Sequence, residues 1–203
     1  NASGLLSVRG REGWPTCDPY QYGHVAAERR RDQNLVIVHR LDRVTSGLLV
    51  FAKNMRTRLA LQACFEEGTA QRLYEAVAAG TLLPVGRTER LVTWLLQDRQ
   101  GNVFVVGPAR GKRCVTFVTC VAQRKGLSYL DISLLTGRRN QIRLALADRG
   151  MPLLGDRKYG GPKAPRLFLN ARVLSFPASL GLAQRTFALP RRFAFDPAAE
   201  KKR

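Results

Sequence analysis

The chain is poor in acidic residues: 15 Asp and Glu stand against 34 Lys and Arg in 203 residues, and no acids cluster at metal-ligand spacing. With no glycine-rich phosphate loop either, a metal-dependent nuclease or phosphotransferase is disfavoured. The four cysteines, Cys17, Cys64, Cys114 and Cys120, form no two-residue pair and have no adjacent histidine, so no zinc site is expected. Cys114 and Cys120 read onto one strand about 20 Å apart, too far to bridge. Reduced, mostly buried thiols are expected, placing the protein in the cytoplasm or, in a eukaryote, the mitochondrial matrix. No apolar run reaches membrane-spanning length, because Lys, Arg, Asp, Gln or Gly interrupts each one. No stretch combines a basic face, a continuous apolar face and interfacial Trp, so no membrane partner is expected.

What the chain does have is positive charge, +19 net with a pI near 11.1. Basic clusters recur at Arg29–Arg31, Arg110–Arg113, Arg138–Arg139, Arg191–Arg192 and Lys201–Arg203. A polyanion is the natural partner, since such clusters displace counterions from a phosphate backbone. A hydrophobic fraction of 45% over this length supports one folded domain over residues 1–203, or two tightly joined lobes. Residues 196–203 read as a mobile charged tail. The abrupt opening at Asn1-Ala2-Ser3-Gly4 leads us to expect further residues before it.

Hydrophobic patterning predicts a helix over 54–66, capped by Asn54, with Leu59 and Ala63 toward the core and Leu61 and Phe65 beside them. A strand is expected over 73–79, then an excursion over 80–112 rich in turn signals, holding only the short strand Val103–Val106 and lying near the polyanionic partner. Strands over 114–122 and 127–135 form a hairpin around Gln123-Arg124-Lys125-Gly126. A helix over 139–148 follows, then strands over 167–175 and 186–189. The sum is an α+β domain with a mixed, mainly antiparallel sheet and few helices.

Two segments carry chemistry. In HRLDRVTSGLLVFAK, residues 39–53, Asp42 occupies a polar turn between runs 35–38 and 47–52, both read as buried strands. Read alone, it is an ordinary charged turn with Asp42 paired to a nearby Arg. The second segment, from residue 133, is SLLTGRRNQIRLALADRGMPLLGDRKYGG. Together they resemble the pseudouridine synthases, in the branch named for RNA large-subunit uridine modification, whose motifs read close to HRLDxxTSGLLLxAK and TGRxHQIRxHLxxxGxPIxGDxxYG. Residues 4–12, 72–80 and 167–177 resemble other family segments in the same order, so the resemblance spans nearly the whole chain.

The resemblance implies the pseudouridine synthase catalytic fold and an isomerase of rRNA or tRNA needing neither metal nor cofactor, monomeric, and acting on free RNA or a ribosomal precursor particle. Asp42 is then the catalytic acid, adding either to the sugar or to the base. Tyr74 matches the tyrosine that stacks on uracil, and Arg143 the arginine that pairs with the catalytic Asp. Otherwise a strand Tyr belongs to core or rim, and a helix Arg to the surface. Arg40 matches a wedge for the place a flipped base vacates, and Arg43, Arg138, Arg139 and Gln141 match RNA-facing or loop-supporting positions. His39 is either structural or an RNA contact. Two departures stand out: Asn140 and Asn170 replace histidines, which suggests either a paired change preserving an amide-to-amide bond or a relaxed catalytic demand. The rival reading is an inactive synthase-fold factor that binds RNA in ribosome or ribonucleoprotein assembly.

Overall fold

A computed structural model describes residues 36–191. The opening segment 4–12, Cys17, the cluster at Arg29–Arg31, Arg192 and the tail from 196 lie outside the described residues. The described residues divide into two compact units, one comprising 36–72 with Val173–Leu189, the other Leu73–Arg172 with 190–191.

In the first unit, β1 (Val36–Ile37) pairs antiparallel with β3 (Phe51–Ala52), in the register Val36 to Ala52 and Ile37 to Phe51. Residues 38–50 therefore form a long loop hung from a two-stranded root, interrupted by β2 (Ser46–Gly47). The strands are shorter and less buried than the apolar runs suggested, because the polar turn between them takes up most of the segment. Helix α1 (Met55–Glu66) follows, and the Asn54 side chain accepts the Thr57 N–H at 2.8 Å, as its sequence position predicts. The core of this unit joins Val38, Ala52, Leu61, Cys64, Leu174 and Phe176. Here one expectation fails: Leu59 is exposed, and Leu61 and Cys64 carry the buried face.

The second unit is built on a sheet in the order β9-β4-β8-β7-β5-β6. Its strands are β4 (Gln71–Ala79), β5 (Thr88–Gln97), β6 (Val103–Val106), β7 (Lys112–Arg124), β8 (Leu127–Leu134) and the start of β9 (Leu169–Ser175). The β4–β8, β8–β7, β7–β5 and β5–β6 pairs are antiparallel. The end of β9 pairs with β10 (Thr186–Ala188) within the first unit. The β7–β8 hairpin closes on Lys125 and Gly126, both at positive φ (49° and 76°), the two-residue turn whose twist suits a hairpin.

The excursion expected over 80–112 instead contains β5, a ten-residue strand. Its charged start occupies solvent-facing positions, where Thr88 bonds Thr119 across the strands, and Leu91, Thr93 and Leu95 alternate into the interior. Helix α2 (Gln141–Asp148) lies on the sheet, with Leu144 packed on Leu95, Val103 and Cys114. Cys64, Cys114 and Cys120 are buried free thiols. Among the described residues, no helix is long and apolar enough to cross a membrane.

Replacing Asn54 with Ala should lower the unfolding free energy by about 1 kcal/mol in a urea titration, and replacing it with Gly by only a few tenths. Equal losses would show that the cap bond is not what anchors α1.

Candidate active site

The loop carrying Asp42 is fixed at its root. His39 stacks on Phe65 with centroids 4.6 Å apart, and its Nε2 accepts the Val50 N–H at 3.1 Å, tying the two ends of the loop together. Accepting through Nε2 requires the neutral ring with its proton on Nδ1. Burial, with the nearby positive charge of Arg72, holds the His39 pKa down to about 4. Gln62 reaches the Val38 carbonyl, and Val38, Leu41, Thr45 and Ser46 are buried. Within this frame the Asp42 carbonyl accepts the Thr45 N–H at 2.9 Å, closing a tight turn. Gly47 re-enters at φ 117°. The Asp42 side chain is half-buried, while Arg40 and Arg43 on either side of it are exposed. A carboxylate between exposed cations on a pinned loop is suited to meeting a ligand.

In the second unit, Tyr74 on β4 is buried and stands opposite Ile132, which stands opposite Val118. Thr116, two residues from Val118, bonds Gln141 of α2 at 3.0 Å. Strand alternation therefore puts Tyr74 on the face of the sheet that α2 covers. Gln141 itself is buried and fully engaged. Its Nε2 donates to the Val115 carbonyl and to Thr116, and its Oε1 accepts from Thr136 and from the Arg138 backbone. It holds the helix start and the preceding loop against β7, a loop-supporting arrangement. The acceptor nitrogen of His39 is likewise committed within the protein, to Val50. The side chains of Arg138 and Arg139 are exposed. Arg191, in another basic cluster, is bound two-pronged to Asp131 at 2.8 and 2.6 Å.

Arg143 is buried, not a surface residue. Its Nε and Nη2 each donate to one carboxylate oxygen of Asp156 at 2.7 Å, a planar two-pronged pair. Its Nη1 donates to the Asn140 Oδ1 at 3.1 Å, and the guanidinium lies 4.8 Å from the centre of the Tyr159 ring. Asn140 also donates from Nδ2 to the Tyr159 hydroxyl at 2.8 Å. Asp156, 1% exposed, additionally accepts the backbone N–H groups of Lys158 and Tyr159. Its turn depends on glycine: a Cβ on Gly155, at φ 81°, would fall on the Arg166 carbonyl, and one on Gly161 on the Leu153 carbonyl.

The paired-amide idea is overturned, because Asn140 serves Tyr159 and Arg143 while Asn170 donates to Glu75 at 2.9 Å. Two residues of the site had no role assigned from sequence, Asp156 and Tyr159. Their signal was the glycine-bounded string GDRKYGG, ten or so residues beyond the helix that carries Arg143. Among the described residues, no group of three or more His, Cys, Asp or Glu side chains could hold a metal ion.

Residues 18–148 match the model of a family described as RNA pseudouridylate synthase. Ribosomal large subunit pseudouridine synthase D of Neisseria meningitidis serogroup A is 38% identical over 130 residues, which are 64% of this chain and 34% of that protein. An uncharacterized RNA pseudouridine synthase of Zymomonas mobilis is 33% identical over 142 residues, 68% of this chain and 65% of that one. The chain thus spans between a third and two thirds of the length of these relatives. Among solved structures, human RNA pseudouridylate synthase domain containing 4 superposes with a TM-score of 0.70 at 21% identity, covering 95% of this chain and 85% of that one. The α+β fold expected from the sequence is the fold these proteins share.

Two measurements test this geometry. His39 has a folded pKa of about 4 against an ordinary 6.5, so its contribution to stability is complete above about 6.5. It is lost as pH falls toward 4, with a slope approaching about 1.4 kcal/mol per pH unit. Urea unfolding as a function of pH should show this slope, and His39→Gln, which can accept the same bond without titrating, should flatten it. An unchanged slope in that variant would place the titration elsewhere. Separately, Asp156→Asn strips the counter-charge from a buried guanidinium and should cost about 3–5 kcal/mol in the same assay; a loss below about 1 kcal/mol would contradict a closed ion pair.

Proposed function

The chain belongs to the RNA pseudouridylate synthase family, and from that premise we propose that it converts uridine in structured RNA to pseudouridine, with Asp42 as the catalytic acid. The reaction breaks the bond between ribose C1′ and uracil N1, turns the detached base, and joins C5 to C1′. The C5 proton is lost and N1 gains one, so atoms balance without oxidant, reductant or energy donor. Asp42 acts either by adding to C1′ or by attacking the base. Tyr74 is the platform on which uracil stacks, and its hydroxyl helps move the C5 proton. Arg143 is the cation that keeps the catalytic carboxylate ionised where water is scarce.

The observation that carries this reading is the buried, triply held guanidinium of Arg143 on the sheet face that Tyr74 shares. Surface binding of RNA needs cations in solvent, whereas a cation fixed in the interior suits chemistry on a group brought to it. The exposed Arg40 is the wedge that fills the place of the flipped nucleotide, an extrusion costing a few kcal/mol. Arg43, Arg138 and Arg139 contact phosphate, with binding that weakens as salt rises. The substrate is rRNA or tRNA, free or in a ribosomal precursor particle. The Neisseria relative's name makes large-subunit RNA the first to assay. We place the protein, as a monomer, in the cytoplasm or, in a eukaryote, the mitochondrial matrix.

With RNA tritiated at uridine C5, the wild type should release tritium. Asp42→Asn should reduce release by at least about a thousandfold while RNA affinity stays within a few-fold. Turnover by the variant would remove Asp42 from the mechanism. RNA binding by the wild type with no pseudouridine in any ribosomal or transfer RNA would favour an assembly factor.

A further inference from the structure

Two-pronged pairing with Asp156 fixes only one edge of the Arg143 guanidinium. Nε and Nη2 are bound, and the planar group can still hinge about the line joining them, swinging Nη1 out of plane. A tilt of about 30° would move Nη1 by about 1 Å, and misplacement on that scale can cost about a hundredfold in rate. Contacts to Asn140 and Tyr159 oppose the hinge. Asn140 Oδ1 takes the swinging nitrogen itself, and the Tyr159 ring lies against the guanidinium plane. The Asn140 amide then bonds the Tyr159 hydroxyl, so that the two restraints brace each other.

We propose that Asn140 and Tyr159 are positioning residues that set the tilt of Arg143, with Asn140 as the residue that joins amide, ring and guanidinium into one unit. This rests on the catalytic role given above to Arg143. Asn140 can reach both partners because it begins α2 at φ 55°, ψ 18°, a left-handed conformation that few residues other than glycine tolerate. There it must accept from a guanidinium and donate to a phenol. Asn does both at every pH. A neutral histidine could do the same through its two ring nitrogens, but a protonated one has no acceptor and would repel Arg143. Charged or titratable groups at position 140 include Arg143 from α2 and Tyr159 from the following turn, both bonded to it, with Asp156 behind Arg143 and Lys158 at 5.5 Å over the Tyr159 ring.

The test is single-turnover and steady-state pseudouridine formation by Asn140→Gly, Tyr159→Phe and Asn140→His. Asn140→Gly keeps the left-handed backbone and removes only the amide; Tyr159→Phe keeps the ring and removes only the hydroxyl. Both should lower kcat, by about 10- to 100-fold for Asn140→Gly and less for Tyr159→Phe, with KM for RNA within about twofold. Asn140→His should recover most of the rate at pH 8 and lose it as pH drops below about 6.5, a step absent from the wild type. A kcat for Asn140→Gly within twofold of wild type, or an Asn140→His profile that superimposes on the wild-type profile, would overturn the proposal. If the wild type makes no pseudouridine at all, the proposed function fails by itself. The positioning role is then judged by NMR of the Arg143 side-chain N–H groups, which should shift and exchange faster with solvent in Asn140→Gly and Tyr159→Phe; unchanged resonances would overturn it.

Discussion

A guanidinium cannot enter a protein interior without a carboxylate to meet it, and the second unit is arranged around satisfying that requirement for Arg143. Gly155 and Gly161 let the backbone fold tightly enough to turn Asp156 inward. The Gly161 N–H on the Asp156 carbonyl and the Lys158 and Tyr159 N–H groups on its carboxylate leave that side chain one orientation. Gln141, two residues before Arg143, fastens the start of α2 to β7. Each of these features would be unnecessary around a leucine. Buried ion pairs are often no more stabilising than apolar residues of the same volume, so stability alone does not account for keeping one here.

The first unit solves a related problem by other means. A thirteen-residue loop would lose considerable conformational entropy if it were held only at its ends. Instead the polar turn is anchored from within. Leu41 is buried one residue before Asp42 and Thr45 three residues after it, and His39 spans the root to Val50. Stacking of His39 on Phe65, with the Phe65 edge meeting Phe176, connects that root to the core beneath α1. Burial of His39 depresses its basicity, and the same burial makes its acceptor nitrogen dependable at neutral pH. Sequence spacing, local turn, packing and protonation state here form one chain of cause.

Local chemistry was legible before the structure. Asn54 as a helix cap, a hairpin around Gln123-Arg124-Lys125-Gly126 and the run of β7 and β8 follow from a few neighbouring residues, and all are observed, the turn itself narrowing to Lys125 and Gly126. What needed the fold was any choice between locally equivalent options. Leu59 and Leu61 are both apolar residues of α1, and only the position of the sheet root decides that Leu61 goes inward. The charged residues that open β5 read as a loop because the neighbouring strand that satisfies Thr88 is thirty residues away. Gln141 could be read from sequence as RNA-facing or loop-supporting, because the four partners that engage it come from β7 and from the loop before α2. Asp156 was given no role for a similar reason: its glycine-bounded string was visible, but its partner, Arg143, lies on the preceding helix.

The substitutions at 140 and 170 bear on whether the site has decayed. A residue released from function drifts toward whatever packs most easily, and at a left-handed position glycine would serve without a side chain to satisfy. Asn140 instead keeps both halves of its amide bonded, one to a cation and one to a phenol, and Asn170 is buried with its amide on Glu75. A protein that used only its surface charge to hold RNA would gain nothing from such interior bonds, because counterion release depends on exposed cations. At position 140 an amide thus meets the hydrogen-bonding requirements that a neutral imidazole could also meet, without responding to pH.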